Sequence, residues 1–479
     1  MKTNLQNEGS FRTFDVENIE SIMSLMISIS GVRGIVGETL TPEVIVRYSS
    51  AFGEYCAHGP IVLGRDGRST GKIIGNVVSS TLLSMGCDVI ALGVCPTPTV
   101  QLGVEKYQAH GGISITASHN PIQWNGLKFL ASTGLLLNHD ENRALLNIAA
   151  QAARSYATWE KIGTHREDPD FLNEHLHRAL SISYVEPEQI RSRRFKVVVD
   201  CVDAAGGLAV PRLLRELGCD VIEMNCEISG IFSHAPEPIP ENLTDLCRRV
   251  PQEHADLGIA VDPDVDRLVL IDERGEPIGE EYTIASVVQF VLAKETARKG
   301  GSTENKKTVA VNLSTTRAVD DIARSFGASV VRTPVGEINV AAKMKEVGAV
   351  IGGEGSGGVI LPEVHYGRDA IVGIVLTLQH LVEFGGSLSD LRRSLPNYVI
   401  TKAKVPVQST AMAEIFNRVR AKYERAGSVN AEDGLKIDFS DSWVHLRKSN
   451  TEPIVRIIAE APSKNRADEL VREISSMLN

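Results

Sequence analysis

Short apolar runs alternate with polar, glycine-bearing loops and helix-like stretches in three successive blocks of the chain. The first block opens on PIVLGRDGRSTG (60–71) and continues through LLSMGCDVIALG (82–93). The second opens on FKVVVDCVDAAGG (195–207) and continues through LLRELGCDVIEMN (213–225). The third opens on KTVAVNLSTTRA (307–318) and continues through IARSFGASVVRTP (322–334). In each block a strand, a polar loop and a helix-like stretch precede Gly-Cys-Asp-Val or Gly-Ala-Ser-Val, which starts a second strand. A third strand follows: GGISITASHN, ADLGIAVDPDVDR and GAVIGGEGSGG. Strands that read as unbroken apolar runs, spaced by helices, predict mostly parallel sheets covered by helices. A repeat of this size predicts three tandem α/β domains of one design.

The last stretch departs from that pattern. YVITKAKVPV reads as a strand, TAMAEIFNRVRAKYERA as a helix, and GLKIDFSDSWVHLRKSNTEPIVRIIAEAP as antiparallel strands before a closing helix. We expect a C-terminal α+β domain, the four domains enclosing a central cleft. The expected boundaries are 1–167, 168–278, 279–396 and 397–479, with about the first 20 residues a flexible extension. A start at Met23 or Met26 leaves this fold intact.

Composition narrows the function classes. The 479 residues exceed one core and suit several domains. A net charge of −10 without a basic tract argues against a nucleic-acid partner. No apolar stretch reaches the ~18 residues that a membrane span needs, and the N-terminus carries no secretory pattern. The seven cysteines form no C-x-x-C pair and read as buried thiols of a reducing, cytoplasmic protein.

The third strands end in three different chemistries, and ligands gather at the carboxyl ends of strands in open α/β sheets. In DPDVDR, the carboxylates of Asp262, Asp264 and Asp266 crowd one turn and repel unless a cation sits among them. All-oxygen ligands select Mg²⁺ or Ca²⁺. An EF-hand is disfavoured because Arg267 stands where that loop needs glycine and LVLID follows as a strand. Mg²⁺ keeps few protein ligands, so a phosphate is expected nearby. Ser118 of TASHNP, followed by His119, is then a phosphoryl carrier, with Lys128 as a nearby cation. No G-x-S-x-G supports acyl hydrolysis instead. In RKSNTEP, Arg447, Ser449, Asn450 and Thr451, with Arg456 beyond, suit a phosphate cradle. In GEGSGG, Glu354 and Ser356 suit sugar hydroxyls. Gly64-Arg65-Asp66 reads as first-strand architecture, with orientation of the serine loop as the alternative, and Arg33 stands between glycines in SGVRG.

TASHNP, DPDVDR, GEGSGG and RKSNTEP, in that order behind SGVRG and GRDGRSTG, resemble the α-D-phosphohexomutases from about Ser28 to the C-terminus. The resemblance implies a four-domain enzyme with Ser118 as phosphoserine and Mg²⁺ held by Ser118, Asp262, Asp264 and Asp266. It implies Arg33 and Lys128 beside the transferring phosphate, with Arg267 following the metal loop. It implies Glu354 and Ser356 on the sugar, and Arg447, Ser449, Asn450, Thr451 and Arg456 on the phosphate that is not transferred. The reaction implied moves a phosphoryl group between the 6- and 1-positions of a hexose phosphate through a hexose 1,6-bisphosphate, which also serves as activator. Some relatives carry histidine where Gly358 stands, so His365 is the expected substitute for proton transfer; an ordinary loop histidine is the alternative. Thr333-Pro334-Val335-Gly336-Glu337 and Thr-Glu-Pro resemble the phosphoglucosamine mutases, while the Ser-Asn-Thr of RKSNTEP resembles some phosphomannomutase/phosphoglucomutase members; glucosamine phosphate is favoured by a small margin over glucose or mannose phosphate or an enzyme acting on several sugars. Glu337 would meet either an ammonium or a hydroxyl. A phosphosugar substrate is the one partner expected, bound by a monomer or homodimer. A serine/metal sugar phosphatase and a silent sugar- or Ca²⁺-binding protein are the readings from other classes.

Overall fold

A computed structural model describes residues 25–28, 31–151, 153–298, 307–406, 412–448 and 454–478. The three repeated blocks fold alike. Their first strands are Ile61–Arg65, Lys196–Asp200 and Thr308–Asn312. Their second strands, Val89–Val94, Asp220–Met224 and Ser329–Thr333, pair parallel to the first on one side. Their third strands, Gly111–Ile115, Leu257–Val261 and Ile351–Glu354, pair parallel on the other. Each unit then adds a fourth strand the apolar runs did not announce as antiparallel: Trp124–Ala131, Leu268–Asp272 and Gly358–Ile360. The spatial order fourth-third-first-second is the same three times. Three further short strands, Met26–Ser28, Gly31–Ile35 and His165–Glu167, widen the first sheet to seven. The fold is therefore α/β with three sheets of one design, each parallel except toward its fourth-strand edge.

The fourth strand matters because it turns the loop after the third strand into a hairpin. That loop leaves the sheet at the carboxyl end and must return, so its tip is held at both ends over the cleft. Ser118, the aspartate loop and Ser356 all sit on such tips.

The C-terminal unit is different. Its five strands run antiparallel in the order Val399–Pro406, Ile454–Ala461, Trp443–Lys448, Leu435–Asp438, Ser428–Asn430. Alternation splits the sheet into two faces. Leu435, Ile437, Val444, Leu446, Val455 and Ile457 form a separate core against the helices Met412–Tyr423 and Lys464–Leu478. The other face carries Lys404, Arg456 and Arg447 in one cross-strand row. One continuous apolar core instead links the first three units, running from Val62 through Val197 to Leu395. The fourth unit is tied to the third by polar contacts: Val335 N to Asp433 Oδ2 (2.8 Å), Arg317 N to Glu460 Oε1 (2.9 Å), and Ser314 Oγ with His445 Nδ1 (2.9 Å).

All seven cysteines are free, five of them buried, and burial pushes the Cys95 thiol up to about 12. Among the described residues, no single helix is long and apolar enough to cross a membrane.

Candidate active site

Ser118 lies on the hairpin tip after Gly111–Ile115 with φ +50°, a left-handed conformation that is unusual for a residue with a side chain. Such strain costs on the order of 1–3 kcal/mol and survives only where surroundings over-determine it. Arg68 supplies those surroundings. Only 1 % exposed, its guanidinium donates to Ser118 O (2.6 Å), Asn120 O (2.7 Å), Pro121 O (2.9 Å) and Trp124 O (3.0 Å). Its Nε pairs with Asp66 Oδ2 at 3.1 Å. Asp66 also accepts from Thr116 Oγ1 (2.7 Å), which in turn accepts from Ser118 N (2.8 Å). Burial raises the Asp66 pKa, and Arg68 is the largest influence opposing that rise. Replacing Arg68 by Met leaves a buried carboxylate without its counter-charge and takes a donor from each of four carbonyls, so Arg68→Met is expected to cost about 3–5 kcal/mol in urea denaturation. Unchanged stability would remove Arg68 from this role.

The three aspartates lie across from Ser118 on the hairpin between Leu257–Val261 and Leu268–Asp272. Asp262 Oδ2 accepts from Ser118 Oγ at 3.1 Å, over 144 residues of sequence. Asp262 Oδ1 accepts from the N–H groups of Asp266 (3.0 Å) and Arg267 (3.1 Å), which closes the turn. Asp264 Oδ2 accepts from Lys128 Nζ (2.6 Å) and Thr97 Oγ1 (2.8 Å). Lys128 Nζ also reaches Asp266 Oδ2 at 3.3 Å. The three carboxylates bring ligand oxygens within 4.8 Å of one another, all buried. Asp264 Oδ1 and Asp266 Oδ1 are buried with no hydrogen-bond partner among the described residues. Burial first, then Asp266 and Asp264, pushes the Asp262 carboxyl well above its usual range. Burial pushes Asp266 the same way, but Arg368, Lys128 and Arg267 prevail and hold it low. An acidic, all-oxygen cluster with free lone pairs fits a small hard dication.

Above this floor lies a cavity of about 370 Å³ walled by all four units. The first contributes Arg33, Ser118, His119 and Lys128, and the second Glu237 and Arg267. The third contributes Glu337, Glu354, Ser356 and Arg368, and the fourth Lys402, Arg447 and Arg456. Arg33 donates to Asn120 Oδ1 at 3.1 Å. His119 Nδ1 is 3.3 Å from Ser118 Oγ. Its pKa is held far down by burial and then by the charges of Arg267 and Arg33, so the imidazole is neutral and a weak base. Glu354 Oε1 accepts from Asn312 Nδ2 (2.7 Å) and Gly336 N (2.9 Å). Arg447 and Arg456 are direct cross-strand partners, and Asp433 orients Arg447 at 2.9 Å. Ser449, Asn450 and Thr451 lie outside the described residues.

One expected residue is elsewhere. His365 is 3 % exposed, is not among the cavity's lining residues, and gives its Nε2 to Asp369 Oδ2 at 2.9 Å, beside His175 Nε2 at 2.7 Å. A ring committed to a buried carboxylate, with Gly367 N on its Nδ1 (3.0 Å), has no nitrogen left for a substrate. The sequence reasoning also missed Arg68, Thr97, Glu237 and Arg368. A signal existed for the first: Asp66, Asp200 and Asn312 close the first strand of each unit, and each accepts the N–H two residues on. Asp66 thus marks a turn, and Arg68 is its buried partner.

Four family models match most of the chain, between residues 26 and 477. Those described as phosphoglucomutase/phosphomannomutase alpha/beta/alpha domains I, II and III match residues 26–155, 173–275 and 286–398, and the C-terminal domain matches 401–477. A Methanopyrus kandleri protein named "probable phosphoglucosamine mutase" is 37% identical over 450 residues, 94% of this chain and 96% of that one. A Thermococcus kodakarensis phosphoglucomutase/phosphomannomutase is 37% identical over 453 residues, 93% of this chain and 97% of that one. The crystal structure of a Burkholderia thailandensis phosphoglucomutase/phosphomannomutase family protein superposes with a TM-score of 0.80 at 26% identity, covering 95% and 97% of the two chains.

Proposed function

Since the chain belongs to the phosphoglucomutase/phosphomannomutase family and is a phosphohexomutase, we propose that it interconverts the 6- and 1-phosphates of a hexose, with glucosamine phosphate as one of its substrates. The observation that carries this reading is the 3.1 Å approach of Ser118 Oγ to Asp262 beneath a cavity lined by four units. Ser118 in its phosphorylated form donates a phosphoryl group to one sugar oxygen. The Oγ–P bond breaks as the new O–P bond forms, and the sugar hydroxyl gives up its proton. An oxygen of the transferring phosphoryl group takes it, while neutral His119, 3.3 Å from Ser118 Oγ, is placed to hydrogen-bond the serine oxygen. The bisphosphosugar turns over inside the cavity, and its other phosphate returns to Ser118.

Asp262, Asp264 and Asp266, with the phosphorylated Ser118, would hold Mg²⁺, which supplies charge neutralisation at the transferring phosphate. The protein's own cations do the rest of the holding. Lys128 and Arg33 lie beside the serine loop, while Arg447 and Arg456 sit at the far wall on a different sheet. Two separated sets of cations suit a substrate that carries phosphate at one end and receives it at the other. Glu337, Glu354 and Ser356 line the same cavity and offer acceptors for a sugar ring's hydroxyls. Arg447→Gln is expected to raise KM about 10–100-fold with a smaller loss in kcat, measured in steady-state kinetics. A pure kcat effect would place Arg447 elsewhere.

A second substrate reading, glucose or mannose phosphate, is favoured by the ion pair between Glu354 Oε2 and Arg368 Nη1 at 2.6 Å. That carboxylate is already matched by a cation before any ammonium arrives. A coupled assay comparing kcat/KM on glucosamine-, glucose- and mannose-6-phosphate tests both readings. Activity on none of them, or release of free phosphate instead, would overturn the proposal.

A further inference from the structure

We propose that Arg368, seated against the bare Cα of Gly358, is the specificity-determining residue of the sugar subsite, keeping it from favouring an ammonium-bearing hexose phosphate over a hydroxyl-bearing one. The inference rests on the mutase reading above and deepens it.

The seat is visible in the glycine. A Cβ built on Gly358 would lie 2.3 Å from Arg368 Cδ and 3.0 Å from its Cγ. No left-handed backbone angle requires glycine there. The missing side chain at 358 and the stem of Arg368 therefore compete for one volume, and this chain gives it to the arginine. The guanidinium then spans the cavity floor. Its Nη1 reaches Glu354 Oε2 at 2.6 Å, its Nη2 reaches Asp266 Oδ2 at 2.6 Å, and its Nε lies 3.4 Å from Glu337 Oε2. One side chain thus joins the metal cluster to both carboxylates of the sugar subsite.

Its backbone is fixed as firmly. Arg368 N donates to Glu337 Oε1 at 3.3 Å. The next residue, Asp369, caps the helix Ala370–Phe384 through the N–H groups of Ile371 and Val372. The other Asp369 oxygen takes His175 from the second unit and His365 from the third. His175 Nδ1 meets Thr99 Oγ1 of the first unit at 2.8 Å. Every ring nitrogen in this cluster is used, so it serves as a three-unit clasp that sets the arginine rather than as a metal site.

The selectivity follows from donor and acceptor chemistry. A guanidinium carries five N–H donors and no acceptor. Nη1 and Nη2 each have a second hydrogen beyond the carboxylate contacts, and the side chain lines the cavity. A sugar hydroxyl oxygen accepts such a hydrogen. An ammonium offers only donors and a like charge, and the carboxylates that would otherwise attract it are occupied by Arg368.

The test is the ratio of kcat/KM for glucosamine-6-phosphate to that for mannose-6-phosphate at neutral pH, in wild type, Arg368→Gln and Gly358→Ala. Arg368→Gln frees Glu354 and Glu337 and is expected to raise the ratio about tenfold or more. Gly358→Ala keeps every charge but displaces the arginine stem, and is expected to move the ratio the same way. It also covers the case in which the arginine variant fails to fold. Wild type inactive on every sugar would sink the mutase reading, and this inference with it. An active wild type whose ratio neither folded variant changes, even with both activities reduced in parallel, would overturn the specificity role alone.

Discussion

Ser118→Ala is expected to lower turnover by about 10⁴-fold or more, with the cavity still binding phosphosugar. Loss of an enzyme's covalent nucleophile commonly reaches this size because no other group can take its place in the sequence of bonds. The geometry gives Ser118 no understudy. Among the described residues it alone donates a hydroxyl to Asp262, at 3.1 Å, on a tip fixed by four carbonyl contacts to Arg68. The substitution removes one oxygen and leaves the backbone interactions in place, so the thermal midpoint should change little. Intact-protein mass spectrometry supplies the second readout. Wild type incubated with hexose 1,6-bisphosphate should gain one phosphoryl mass, and the variant none. Full activity in Ser118→Ala would remove the phosphoserine route altogether.

The parts of this site that were legible in the sequence share one property: each is local. Asp262, Asp264 and Asp266 fall within five residues, and the repeated apolar strands place that loop at a strand end. The same holds for Ser118 and for Glu354 with Ser356. Strand content was legible for the same reason, since an apolar run such as LGIAV announces a buried strand by itself. Pairing direction was less so. WNGLKFLA alternates too little to reveal that it returns antiparallel beside Gly111–Ile115. Both of its faces are covered, and periodicity fades when that happens.

What stayed hidden was set by contacts between distant segments. Arg368 meets Asp266 across 102 residues and Arg68 meets Trp124 O across 56. An isolated arginine in HYGRD carries no sign of its partner. His365 misled for the complementary reason. A histidine near a glycine-rich loop suggests proton transfer, yet its neighbour four residues on, Asp369, claims the ring and buries it. Burial of a polar side chain is decided by its partner, and here that partner also caps a helix and holds His175.

Chelation of divalent cations is the second large effect expected: turnover should stop in excess EDTA and return on adding Mg²⁺. The argument is electrostatic. Asp262, Asp264 and Asp266 are each 0–1 % exposed. Lys128 and Arg368 offset part of their charge, but Asp264 Oδ1 and Asp266 Oδ1 still lack hydrogen-bond partners among the described residues. A second phosphate-sized charge on Ser118 would add repulsion at the same point. A dication among these oxygens would relieve both repulsions at once, adding to the charge that Lys128 and Arg368 already offset. Asp264→Asn removes one negative charge while an amide oxygen can still accept from Thr97, so the fold should hold and the cation should be bound more weakly. The variant is expected to lose about 10³-fold in kcat/KM at low Mg²⁺ and to recover partly as Mg²⁺ is raised, whereas wild type saturates early. The Mg²⁺ titration separates a ligand from a merely structural aspartate, because a misfolded site would not respond to added cation. Undiminished turnover in EDTA would break the link between the aspartate loop and the serine.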